Sequence, residues 1–65
     1  MKIQFNGKIE DTQAKNLEDL IVSKNIDIAN VVIEHNVNII EKNKLSSIIL
    51  QENDVVEILS FIGGG

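Results

Sequence analysis

The chain closes on three glycines, Gly63-Gly64-Gly65, directly after the apolar run Val55-Val56-Glu57-Ile58-Leu59-Ser60-Phe61-Ile62. The group this ending offers to chemistry is the carboxylate of Gly65, unhindered and carried on a stalk without side chains. Glycine lacks Cβ, so such a stalk adopts almost any backbone conformation and passes through a channel too narrow for other residues. Three extended residues reach roughly 10 Å. The pattern suits a protein that delivers its own C-terminus into another protein's active site. Frayed terminal glycines or a linker remnant produce the same letters, and the tail alone does not choose among these readings.

The remaining reactive side chains assemble no catalytic site of their own. His35 is the only histidine and reads as a loop residue with neither a Cys partner nor a placed acid. With no cysteine and one histidine, neither a zinc site nor a nucleophile–histidine arrangement can be put together. The terminal glycines are not a phosphate loop, because no Gly-Lys-Ser/Thr and no helix follow them. Asp54 and Glu57 read as exposed acids, either solvated or facing basic groups on a partner. The expectation is no catalytic residue, no metal and no bound cofactor.

Composition narrows the partners. The chain has 65 residues, 43% of them hydrophobic, with six Lys against ten Asp plus Glu and a net charge of −4. That length predicts one small domain near the lower limit for a core without staples. An acidic chain with two aromatics, Phe5 and Phe61, lacks both the phosphate-neutralising charge and the stacking platforms of nucleic-acid binders. No apolar stretch approaches the ~20 residues of a membrane span, and no signal-peptide pattern opens the chain. These features predict no membrane or nucleic-acid partner, a cytoplasmic location and steering toward a basic protein surface.

The elements that must hold the tail follow from periodicity. Lys2-Ile3-Gln4-Phe5 alternates as a half-buried strand, and Asn6-Gly7 is the signal of a type I′ hairpin. Lys8-Ile9-Glu10 returns as a short, polar edge strand, with Ile9 its one strong apolar contribution. Asn16 caps a helix with Asp19 three residues on. Leu17, Leu20 and Ile21 share one face, and Lys24 and Asn25 stop it. Val31-Val32-Ile33 is a buried β-branched strand, and His35-Asn36-Val37-Asn38 turns the chain into a short strand, Ile39-Ile40. Leu45, Ile48, Ile49 and Leu50 anchor a turn-like segment, and Asn53 makes a left-handed turn into the last strand, Val55 to Ile62. That strand is apolar on both faces and therefore central. Placed beside the first strand, it gives an α+β fold: a mixed four- to five-stranded sheet crossed by one helix, the β-grasp or ubiquitin-like arrangement. The predicted core is Ile3, Phe5, Leu17, Leu20, Ile21, Ile33, Val56 and Ile58. Residues 1–62 form the domain and residues 63–65 a flexible tail. If Val56 and Ile58 face the helix, then Glu57, Leu59 and Phe61 occupy the opposite face. Leu59 and Phe61, with Ile62, are the expected partner-binding patch beside the tail.

Over its whole length the chain resembles the ThiS family of sulfur carriers in thiamine-thiazole biosynthesis. The resemblance rests on the opening strand into Asn6-Gly7, the helix around Asn16-Leu17-Glu18-Asp19-Leu20-Ile21, the approach Asn53-Asp54-Val55-Val56-Glu57-Ile58 and the ending Phe61-Ile62-Gly63-Gly64-Gly65. Gly-Gly at the terminus is common to ubiquitin-like carriers; the short chain favours the thiamine branch over the molybdopterin-synthase small subunit. Two departures lie away from the tail: Asn36-Val37 stands where many relatives have Asn-Gly, and Glu41 where they have Pro.

The resemblance implies that the Gly65 carboxylate is adenylated by a ThiF-like enzyme that uses ATP. It is then converted to a thiocarboxylate by a sulfur donor such as a cysteine desulfurase persulfide, and its sulfur passes to a ThiG-like thiazole synthase. Under this reading the chain is a protein substrate and not an enzyme. A carrier for another pathway, molybdopterin-like, and a ubiquitin-like modifier joined through Gly65 are the alternatives.

Overall fold

The computed structural model describes residues 1–61. Strand β1 (Lys2–Phe5) turns through Asn6-Gly7 into β2 (Lys8–Asp11). Asn6 and Gly7 hold φ at +49° and +84°, the signs a type I′ hairpin requires. Helix α1 (Leu17–Ser23) follows, then a 3₁₀ turn at Ile28–Asn30 leading into β3 (Val31–His35). A second two-residue turn, Asn36-Val37, leads to β4 (Asn38–Ile39), and a 3₁₀ helix at Lys42–Ser47 precedes β5 (Val55–Ser60). The strands form one sheet in the order β2-β1-β5-β3-β4. The last strand is thus central, parallel to β1 and antiparallel to β3. One main helix covering a mixed five-stranded sheet is the β-grasp architecture expected from the sequence.

Helix α1 is only seven residues long, so its stability comes from packing more than from propensity. Its ends are well set. The Asn16 side chain accepts the Asp19 amide at 2.8 Å, and Asn25 takes φ +57° just beyond the Lys24 cap. Leu17, Leu20 and Ile21 are buried against Ile3, Val31, Ile33, Leu45, Leu50 and Val56. Phe5 and Ile58 pack against this core only partly buried.

Several local expectations change. Ile9 is 74% exposed, because its register partner is Gln4, on the face opposite buried Ile3. Strand β4 covers Asn38–Ile39, one residue earlier than Ile39-Ile40, and Ile39 points outward while Ile40 packs on the core. The segment Ile48–Leu50 runs alongside the start of the helix, with Leu17 donating to the Ile48 carbonyl and Leu50 to that of Lys15. Extended alternation then sends Ile48 and Leu50 inward and Ile49 outward. Val31, from the strand expected to be buried, and Leu45 and Leu50, from the anchoring segment, join the predicted core residues.

Candidate functional site at the end of β5

Strand β5 runs to Ser60, next to the last of the described residues. It lies between β1 and β3: β1 pairs with Val55 and Val56, and β3 pairs from Val56 through Ser60. Its main chain receives two further ties from turn residues: Asn6 accepts the Ile58 amide at 2.8 Å, and Asn36 accepts the Val55 amide at 2.8 Å. At the far end, the Phe61 amide donates to the Asn30 carbonyl at 3.2 Å. A strand held this way delivers whatever follows Phe61 from a fixed point.

Leu59 and Phe61 stand exposed, at 47% and 61%, while Val56 is buried and Ile58 packs against the core. The alternation across β5 therefore follows the expected period. Phe61 lies at one rim of a groove of about 450 Å³ whose other walls include Val32, Ile39, Ile40 and Lys42. The Lys42 ammonium stands 5.7 Å from the Phe61 ring centroid, within cation–π range. Ile62, Gly63, Gly64 and Gly65, the remaining expected site residues, lie outside the described residues.

The other end of β5 corrects two readings. His35 is not an isolated loop histidine but the last residue of β3, and Asp54 is not an exposed acid but buried. Asp54 Oδ2 lies 2.7 Å from His35 Nε2 and accepts the Gln51 amide at 2.9 Å, while Oδ1 accepts Asn36 Nδ2 at 3.0 Å. Burial pushes the Asp54 carboxyl up. The hydrogen bonds from His35, Asn36 and Gln51, with the His35 charge, outweigh it and hold the group below its usual 3.8. This network ties the β3–β4 hairpin to the start of β5. Sequence reading missed it because its members come from separate elements; the one local hint was Asn36 at a turn. Glu57, by contrast, is half-buried on the open face of the sheet.

Among the described residues no three His, Cys, Asp or Glu side chains gather as a metal site, and no helix is long and apolar enough to cross a membrane. What the arrangement offers is a braced strand with an exposed apolar flank beside the start of the tail.

Comparison with known proteins identifies the family. The model of the ThiS family matches residues 2–65. The sulfur carrier protein ThiS of Bacillus subtilis is 36% identical over 67 residues, covering 97% of this chain and 98% of that protein. A thiazole synthase of Magnetococcus marinus is 33% identical over 66 residues, and one of Paramagnetospirillum magneticum 32%. The chain is matched completely in both but spans only 20% of their length. The crystal structure of the thiamine biosynthesis protein ThiS from Geobacter metallireducens superposes with a TM-score of 0.84 at 28% identity, each chain covered completely. With the family match running almost end to end and the β-grasp backbone shared, the chain belongs to the ThiS family.

Proposed function

We propose that this chain is a sulfur carrier of thiamine biosynthesis that holds sulfur on its C-terminal acyl carbon. The observation that carries the reading is the near full-length similarity to a sulfur carrier protein ThiS, 97% of this chain against 98% of that one. The family match extends through Gly65. The fold supports it physically, since β5 is paired with β3 up to Ser60, close to the residues that lead into the tail.

A carboxylate is a poor electrophile, because its charge is delocalised and oxide is a poor leaving group. In the proposed loading, the Gly65 carboxylate attacks the α-phosphorus of ATP on a ThiF-like adenylating enzyme. Pyrophosphate leaves and an acyl-adenylate remains. The terminal sulfur of a persulfide, such as that of a cysteine desulfurase, attacks the carbonyl and expels AMP. A thiol then cleaves the acyl disulfide, forming a new disulfide and releasing the Gly65 thiocarboxylate. A ThiG-like thiazole synthase takes the sulfur. ATP belongs to the activating enzyme, and this chain contributes the acyl group and its reach as a protein substrate, not a catalyst. Loading that consumes ATP calls for the cytoplasm.

Leu59, Phe61 and Ile62 are assigned to docking on the activating enzyme, and Gly63 and Gly64 to the narrow approach. Residues 1–62 act as the body and residues 63–65 as the arm. The two thiazole synthases that contain a similar segment support the synthase as recipient. The test is intact-mass analysis after incubation with ATP, a ThiF-like enzyme and a sulfur donor. The expected gain is the mass of sulfur minus that of oxygen, confined to the C-terminal peptide; an unchanged mass overturns the reading.

A further inference from the structure

Both two-residue turns of the sheet begin with an asparagine in the left-handed region, and both asparagines reach across to the central strand. Asn6 holds φ at +49° and Asn36 at +50°. The Asn6 amide donates to the Val56 carbonyl at 3.0 Å, and Asn6 Oδ1 accepts the Ile58 amide at 2.8 Å. Parallel pairing of β1 with β5 ends at Phe5 and Val56, so this side chain supplies the acceptor that a further main-chain carbonyl would have offered. Asn36 works from the other side, donating its amide to the Val55 carbonyl at 2.8 Å and accepting the Val55 amide at 2.8 Å. The two turns differ in the residue that follows. Gly7, at φ +84°, is exposed, with open space where a Cβ would stand. Val37 holds φ at +75°, which a β-branched residue adopts only under strain. Its side chain is 89% exposed, so packing does not compensate.

An asparagine side chain can react with the next nitrogen of its own main chain. That nitrogen loses its proton to solvent base and attacks Cγ, ammonia leaves, and a five-membered succinimide ring closes. Water then opens the ring at either carbonyl carbon. One opening gives aspartate; the other gives isoaspartate, with the main chain rerouted through the former side chain. In sum, water is consumed and ammonia released. The attacking nitrogen must be uncrowded and its chain free to rotate, which glycine allows and a β-branched residue opposes. Of the eight asparagines in the chain, only Asn6 precedes a glycine.

We propose that Asn6 is a modification site, converted through a succinimide to isoaspartate and aspartate, that the folded hairpin and its tie to Ile58 hold this reaction back, and that Val37 keeps the same chemistry out of the second hairpin. Ring closure brings Cγ of Asn6 onto the Gly7 nitrogen, a rotation that takes Oδ1 away from the Ile58 amide. The intact sheet therefore slows the reaction. The product acts on the same contact. Isoaspartate lengthens the main chain inside a two-residue turn whose geometry is matched to the twist of its strands, so the acceptor no longer fits Ile58 and β5 loses a tie on its β1 side. In the second turn more is at stake, because Asn36 also donates to the buried Asp54 carboxylate. The valine that follows it crowds the attacking nitrogen, and the strain of its backbone accompanies that protection. None of this chemistry involves the tail, so it is independent of the carrier function.

The experiment incubates the full-length protein in mildly alkaline buffer, folded and in urea. Peptide mass analysis follows the exchange of NH2 for OH at each asparagine, and methyl transfer by an isoaspartate-specific carboxyl methyltransferase detects the rearranged product. In urea, wild type should react at Asn6 ahead of every other asparagine; folded, Asn6 should react at least about tenfold more slowly. Val37→Gly in urea should gain a second reactive site at Asn36, and Gly7→Ala should slow the first by about tenfold or more. Urea removes any difference in folding among the three proteins, so the variants read the chemistry alone. Refolded protein carrying isoaspartate at residue 6 should melt below unreacted protein. Absence of isoaspartate at residue 6 in urea overturns the proposal, as does an equal rate at Asn6 in folded and unfolded protein. A Val37→Gly protein whose Asn36 stays intact in urea overturns it too, and so does an isoaspartate form that melts with the unreacted protein.

Discussion

The carboxylate of Asp54, immediately before β5, lies 2.7 Å from Nε2 of His35, the last residue of β3. This contact joins residues 19 apart in the chain, and it sits where the central strand begins. The acid also holds Asn36 and the Gln51 amide, so one buried side chain organises the hairpin, the preceding turn and the strand that carries the tail.

Removing that acceptor leaves several donors without a partner. Asp54→Ala should lower stability by about 1–3 kcal/mol, the range for buried polar groups left unsatisfied. The pH dependence has a definite sign. Hydrogen bonding holds the folded-state pKa of Asp54 below 3.8, so its contribution is complete above the unfolded-state value and is lost as pH falls through the lower folded value. Denaturant midpoints measured from pH 7 down to pH 2.5 should fall less steeply in Asp54→Ala than in wild type below about pH 4. Parallel acid limbs would show that the carboxylate does not stabilise the fold.

Leu20 is almost fully buried beneath the helix. Leu20→Ala should cost on the order of 2–5 kcal/mol, as large-to-Ala changes in cores do. So small a domain can spare little of that. The midpoint of urea denaturation measures the loss, and an unchanged midpoint would mean the helix face does not carry the core.

Phe61 is 61% exposed, and its nearby cation, Lys42, makes a surface contact worth about 0.5–1 kcal/mol. Phe61→Ala should therefore keep its far-UV circular dichroism and shift stability only within that range. Affinity for the adenylating enzyme should fall measurably in the same variant. A large stability loss without an affinity change would reassign Phe61 from docking to packing.

Gly64→Val tests the tail. Adding a branched side chain one residue before the carboxylate proposed to react should leave the thermal melt unchanged, because the domain core lies in residues 3–56. Adenylation, followed as ATP–pyrophosphate exchange, should slow by about two orders of magnitude, the scale of a misplaced reacting group. Deleting Gly65 should slow it comparably by shifting the register of the carbonyl. Exchange at the wild-type rate in Gly64→Val would remove the narrow-channel argument.

Much of the architecture was legible in the sequence because it is written in short-range patterns. Alternation over Lys2 to Phe5, the Asn6-Gly7 turn, the Asn16 cap with its Leu17, Leu20 and Ile21 stripe, and the doubly apolar final strand each depend on residues a few positions apart. Together they led to a β-grasp fold with β5 at its centre, and Gly63-Gly64-Gly65 pointed to the terminus. Only the tertiary structure decided the rest. Periodicity separates two faces of a strand without saying which one a neighbour covers, so Ile9 and Ile49 turned outward while Leu45 and Leu50 turned in. Register brought Glu34 opposite Glu57, and burial joined Asp54 to His35. These relationships arise from chain segments distant in sequence, whose contacts exist only once the sheet has assembled.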